Sequence, residues 1–194
     1  MDYEMRRIIT RIALIAGIIV SVGCLGRMLY KKSNVSERPY ALYEFTGDER
    51  DVRDVEKMFE RDLYWLTARD EYDVRAMMMR RSSDYDDPAK DGDLTIYLMR
   101  DKATDALIGF TAYLRLSFYK GKILFVAVNP EFRGKRYAGE LVKFDFDQFR
   151  KMNMIKGMLT VRTENKAARA AYEREGLKPY AEHDGFMYYE KYVN

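Results

Sequence analysis

Residues 123–141 read ILFVAVNPEFRGKRYAGEL, and the change of pattern inside this stretch decides how the rest is read. Ile123 to Val128 is an apolar run rich in β-branched and aromatic side chains, the composition of a buried strand, and Pro130 stops it. From Tyr137 the spacing turns helical, with Leu141, Val142, Asp145 and Phe149 three or four residues apart. Between strand and helix lie Arg133, Gly134, Lys135 and Arg136. Backbone N–H groups at a helix start have no partner within the helix and carry the positive end of its dipole, so a cationic turn there suits phosphate oxygens. The same residues would also serve as an ordinary solvated loop, and this stretch alone does not choose between the two.

A second stretch does. Leu159-Thr160-Val161-Arg162-Thr163-Glu164-Asn165 is an extended segment ending in a polar cap, and Lys166 to Glu175 form a short alanine-rich helix closed by Gly176. The order of strand, Asn165, Ala168, Tyr172 and Gly176-Leu177 resembles the second signature of the GNAT superfamily, the acyl-CoA-dependent N-acyltransferases. The first stretch resembles that superfamily's cofactor motif, an Arg or Gln followed three and five residues later by Gly and by Gly or Ala. Arg133 and Ala138 fit the outer positions, while Arg136 stands where the middle glycine belongs. The two signatures come in the right order and at the right separation, and the resemblance covers Tyr40 to the C-terminus.

The resemblance implies an α/β (α+β) fold, a mixed and mostly antiparallel central sheet flanked by helices, here preceded by an N-terminal hydrophobic helix. It implies a domain over 40–194 that moves an acetyl group from acetyl-CoA directly to a primary amine. Val126, Ala127 and Val128 would part from the next strand and offer main-chain groups to the pantetheine arm. Arg133, Gly134, Lys135, Arg136, Tyr137 and Ala138 would hold the pyrophosphate, and Asn165 would contact the pantetheine or the helix start. Tyr172 lies seven positions after Asn165, two helical turns on, so both project from nearly one face. A phenol with a pKa of about 10 is matched to protonating a departing thiolate, and Tyr172 is the catalytic candidate. Arg136 is expected in helical backbone, where it costs nothing and adds a charge.

No general base emerges. Some members of the superfamily place a glutamate on the fourth strand, where this chain has Lys122; Glu164, His183 and a water chain are the remaining candidates. A non-catalytic domain that binds or senses acyl-CoA is therefore the alternative reading. With a single histidine and a single cysteine, Cys24, the composition argues against a structural zinc site or an intrachain disulfide, and no metal is implied. The 34 basic and 31 acidic residues leave a net charge of only +3, which argues against a general nucleic-acid binder.

The N-terminus is unlike the remainder. Ile12 to Gly26 is fifteen residues without a charge, flanked by Arg6, Arg7 and Arg11 and by Arg27, Lys31 and Lys32. At about 1.5 Å per residue this core falls short of a hydrocarbon layer of about 30 Å, and extension to residues 8–30 restores the length if the arginines snorkel. Residues 1–32 are read as a single-pass membrane anchor. A cleaved signal with a lipoprotein-like site at Val20 to Cys24, or an interfacial helix, would fit the same composition. The excess of basic residues on the C-terminal side places the domain in the cytoplasm. Ala13, Gly17 and Ser21 form a small-residue seam suited to pairing two anchors in a homodimer, although such residues are common in these helices. Ser33 to Pro39 reads as a linker.

Within the domain, Tyr40 to Phe45 should be a strand and Asp51 to Leu66 an amphipathic helix. Tyr72 to Arg81 should continue as helix, with Met77 to Met79 either core or lining for an acceptor. Ser82 to Asp93 is a charged loop whose aspartates would be solvated or would attract a cationic acceptor. Leu94 to Arg100 and Ala106 to Ser117 form a hairpin whose Gly109 marks a bulge or close approach, and Leu177 to Ala181 and Gly185 to Tyr192 complete the sheet.

Overall fold

The computed structural model describes residues 38–193. Among the described residues the elements are β1 (Tyr40–Glu44), α1 (Glu49–Leu66), α2 (Val74–Arg80), β2 (Leu94–Asp101), β3 (Leu107–Ser117) and β4 (Lys120–Val128). They continue with α3 (Tyr137–Lys151), β5 (Lys156–Arg162), α4 (Lys166–Arg174), β6 (Lys178–His183) and β7 (Phe186–Tyr192). The seven strands make one sheet in the order β1-β2-β3-β4-β5-β7-β6. All neighbours are antiparallel except β4 and β5. A parallel pair needs a crossover, and α3 supplies it. The mixed, mostly antiparallel architecture is the one expected. The hydrophobic stretch at 8–30 lies outside the described residues, and no described helix is long and apolar enough to cross a membrane.

Local chemistry sets the helix ends. Asp48 caps α1 by accepting from Arg50 N at 2.7 Å, and Asp73 caps α2 by accepting from Ala76 N at 2.7 Å. Asp84 and Asp86, in the charged loop, both pair with Arg69 at 2.9 and 2.6 Å, so that loop is held from within the domain. Arg100 is buried and joins α1 to the sheet, its Nη2 donating to Asp51 at 2.6 Å and Asp54 at 2.7 Å.

Two cores cover the two faces of the sheet. Val52, Phe59 and Met77 from α1 and α2 pack on Leu98, Phe110 and Phe125, whereas Val142, Phe146 and Phe149 from α3 pack with Ile123, Leu159 and Tyr172. β4 serves both faces, which is why its sequence is an unbroken apolar run. Its register against β3 slips between Ala112↔Phe125 and Tyr113↔Ile123, leaving Leu124 as the extra residue of a β-bulge. The bulge turns Leu124 and Phe125 both toward α1 and returns Val126 to the α3 side.

Gly109 is the close approach its position suggests. A Cβ there would lie 2.2 Å from the carbonyl oxygen of Ala127. Arg136 corrects an expectation: its backbone is left-handed, with φ 67° and ψ 10°, immediately before α3, and not helical. The position is therefore one that a glycine would fill without strain, and a non-glycine residue there costs about 1–2 kcal/mol.

These backbone constraints make two predictions. Gly109→Ala should lower stability by about 1–3 kcal/mol in urea unfolding, the scale of an overpacked site; an unchanged midpoint would show that β3 and β4 part freely. Arg136→Gly should raise stability by about 0.5–1 kcal/mol, the strain relieved less the entropy cost of glycine, whereas Arg136→Ala should not. Equal effects of the two substitutions on the unfolding midpoint would remove the strain.

Candidate functional site

The parallel pair of strands comes apart. β4 pairs with β5 only from Lys120↔Lys156 to Ile123↔Leu159, although β4 runs on to Val128 and β5 to Arg162. Beyond the bulge, the side of β4 that faces β5 presents main-chain N–H and C=O groups to a groove of about 770 Å³. Leu124, Val126, Ala127 and Val128 line it from one strand, and Thr160 and Val161 from the other. Backbone polar groups left without a ladder partner invite an extended ligand with amides of its own.

At the C-terminal end of β4, a 3₁₀ turn, Pro130–Phe132, leads into the basic turn. Gly134 has φ 78° and Arg136 φ 67°, and these two left-handed residues swing the chain so that α3 starts at the groove. No side chain caps the N-terminus of α3. Gly134, Arg136, Tyr137, Ala138 and Gly139 line the groove there, and a helix start with uncapped N–H groups is an anion-binding surface. Lys135 stands apart from this lining and lies over the Phe132 ring at 5.3 Å.

Arg133 does something the sequence did not suggest. Its Nε donates to Val128 O at 2.9 Å and its Nη2 to Asp62 Oδ2 at 2.6 Å, so the guanidinium braces the end of β4 against α1. Any hold it has on phosphate is shared with these two acceptors.

α4 forms the opposite wall. Asn165 accepts from Ala168 N at 3.1 Å as the N-cap, one of the two roles expected of it. Ala168, Ala171 and Tyr172 follow along the groove face of the helix, and Asn165 and Tyr172 line the same cavity. Tyr172 is 7% exposed and packs edge-on to Tyr189, with ring centroids 6.2 Å apart. Burial is the main cause that raises the phenol's pKa. A phenol so placed holds its proton at neutral pH, which disqualifies it as a base and leaves it available as an acid, though a weaker one than an exposed phenol.

A third wall was not legible in the sequence. α1 breaks its helical geometry at Asp62, with φ −115° and ψ 15°, although neither proline nor glycine is present. The Asp62 carboxylate is engaged by Arg61 as well as Arg133. Past the break, Arg162 of β5 stacks on the Tyr64 ring at 3.9 Å and donates to Tyr64 O and Thr67 O at 2.5 and 3.1 Å. Tyr64 Oη donates to Glu164. This clamp sets Trp65 and Leu66 on the groove.

Other candidates lie elsewhere. Met77 and Met78 are fully buried core, Met79 is exposed, and none of the three lines the groove. His183 ends β6 with its Nδ1 2.9 Å from Asp184, away from the groove lining. Lys122 sits opposite Met158, where β4 and β5 are still paired. Among the described residues no group of three or more His, Cys, Asp or Glu side chains could hold a metal ion.

This arrangement of a parted strand pair, an uncapped helix start and a tyrosine wall can be set beside known proteins. No curated protein matches the chain in sequence. Solved structures share its fold. Spermidine N-acetyltransferase from Vibrio cholerae, in complex with CoA and spermine, superposes with a TM-score of 0.63 at 16% identity, covering 80% of this chain and 96% of that one. Ard1 from Thermoplasma volcanium gives 0.57 at 21% identity over 80% and 99%. The ribosomal-protein-S18-alanine N-acetyltransferase from Escherichia coli gives 0.58 at 12% over 79% and 94%. The model of the acetyltransferase (GNAT) family matches residues 52–177, most of the chain, and the chain belongs to that family.

Proposed function

We propose that the protein is an acetyl-CoA-dependent N-acetyltransferase acting on a primary amine. The observation that carries the reading is the parting of β4 from β5 directly beside the uncapped start of α3, with Tyr172 on the facing wall. The residues present fit acetyl-CoA: main-chain groups of Val126 to Val128 on the side away from β3, other than the Val128 carbonyl that accepts from Arg133, for the pantetheine amides, and α3's first N–H groups with the Arg136 cation for the pyrophosphate. The cofactor supplies an acetyl group activated as a thioester.

The chain's own groups supply the rest. An N–H of β4 would stabilise negative charge on the thioester oxygen. Tyr172 keeps its proton until it is needed and gives it to the sulfur as the carbon–sulfur bond breaks and the amide bond forms. The amine must lose a proton. Asp62 and Glu175 are the groove-lining carboxylates among the described residues, and Asp62 is already paired with two arginines. Deprotonation is therefore assigned to water rather than to a side chain. Trp65 and Leu66 form the wall past which the acceptor enters.

The lack of a committed base supports a second reading, an acyl-CoA-binding domain without turnover. It would bind acetyl-CoA and release no thiol with any amine. We further propose that residues 8–30 tether the domain to a membrane with the catalytic part in the cytoplasm. The run of uncharged residues with flanking cations supports this.

The test is to titrate the full chain with acetyl-CoA and then screen amines for thiol release. Tyr172→Phe should keep cofactor affinity and lower turnover by about 10²-fold or more, the usual scale for a lost general acid. An unchanged rate would take Tyr172 out of the mechanism. Because burial raises the phenol's pKa, turnover should show no alkaline loss from Tyr172 below about pH 10; a loss centred well below that would contradict it.

A further inference from the structure

Asp145 is a carboxyl inside the core. It lies on the α3 face that packs against the sheet, among Leu141, Val142, Phe146 and Phe149, and is fully buried. Its Oδ1 has no hydrogen-bond partner. Its Oδ2 lies 2.6 Å from Thr111 Oγ1, and that same hydroxyl lies 3.0 Å from the Phe125 carbonyl oxygen. Thr111 is also fully buried. Phe125 is the residue that follows Leu124 in the β-bulge, at the point where β4 leaves β5.

A count of hydrogens distinguishes the charge states. Thr111 has one hydroxyl hydrogen and two oxygen neighbours that want it. If Asp145 is ionised, the hydroxyl turns to the carboxylate, the Phe125 contact goes unserved, and a buried anion rests on one neutral hydrogen bond. That is an expensive arrangement. If Asp145 carries a proton, every contact is served in one direction: carboxyl O–H to Thr111 Oγ1, and Thr111 O–H to Phe125 O. The titratable groups facing the carboxyl are the phenols of Tyr113 on β3 and Tyr172 on α4, and neither brings a positive charge that would favour the ionised form.

We propose that Asp145 is a positioning residue: held as the neutral acid, it donates through Thr111 to the Phe125 carbonyl and so fixes the bulge from which the cofactor-binding segment of β4 departs. The inference rests on reading the groove as the acyl-CoA site. Asp145 is not itself among the groove-lining residues and touches no reacting group. Burial, offset in part by the Thr111 contact, moves its pKa upward, in agreement with the hydrogen count.

Two measurements on the full chain test this. The first reads the proton. The folded protein keeps a proton that the unfolded chain releases above about pH 4, so wild-type stability should fall relative to Asp145→Asn as pH rises from about 5 to 8. A pH-independent difference between the two overturns the neutral acid. The second reads the brace. Asp145→Asn, whose amide N–H can still donate to Thr111, should bind acetyl-CoA within about twofold of wild type. Thr111→Val, which breaks the chain, should bind roughly tenfold more weakly, the value of about one hydrogen bond.

Circular dichroism identifies a variant that has merely failed to fold. Equal affinities for folded Thr111→Val and Asp145→Asn would mean that the chain is structural only, and the proposal fails. If these differences hold while no amine releases thiol, the enzyme reading falls and the brace stands. If wild type does not bind acetyl-CoA at all, the groove reading falls and with it the positioning role, while the pH measurement still decides the charge state.

Discussion

Two parallel strands that stop pairing halfway along their length are the constraint on which the domain turns. Main-chain donors and acceptors inside a protein must be satisfied, and a sheet normally does this by continuing its ladder. Here β4 and β5 separate after Ile123 and Leu159, and beyond that point the ladder between them stops and a groove opens. A gap of this kind would close under hydrophobic packing unless something held each wall. The structure holds β4 from both sides, by α1 and by α3.

On the α1 side, Arg133 ties the end of β4 to Asp62 at the break in the helix, and Arg162 ties the last turn of that helix to β5. These are contacts to carbonyl oxygens and a largely buried carboxylate, in geometries that fix direction as well as distance. On the α3 side, the two left-handed residues Gly134 and Arg136 aim the helix start at the groove, and the Asp145–Thr111–Phe125 chain meets the bulge from below. The bulge does two jobs at once. It redirects Leu124 and Phe125 toward α1 and starts the departure of the strand. Strain at Arg136 is thus located where backbone direction sets the start of α3 at the groove.

Much of this was legible from residue order. The unbroken apolar run of Ile123 to Val128 signalled a buried strand. Asn165 capped a helix where a short polar side chain precedes helical spacing. Gly109 marked the close passage of β3 and β4. Each of these signals is local: the physics acts between neighbours in the chain, so sequence carries it. The conformation of Arg136 misled because an arginine gives no hint of positive φ, and only the requirement that α3 start at the groove imposes it. The break at Asp62 went unsignalled for a similar reason, since no proline or glycine lies at it and, of the two guanidiniums that engage its carboxylate, that of Arg133 comes from far along the chain.

By itself the sequence determined the elements, their order, the family resemblance and the pair of signatures that place Tyr172 two turns beyond Asn165. It did so because capping, periodicity and turn chemistry depend on residues a few positions apart. Only the tertiary structure decided that Arg133 spends its guanidinium on Asp62 and Val128, that Met77 and Met78 of α2 are core while Met79 is exposed, and that Asp145 meets Thr111 beneath the bulge. Those outcomes depend on groups dozens of residues apart competing for the same buried hydrogen bonds, and such competition is settled only once the chain has packed.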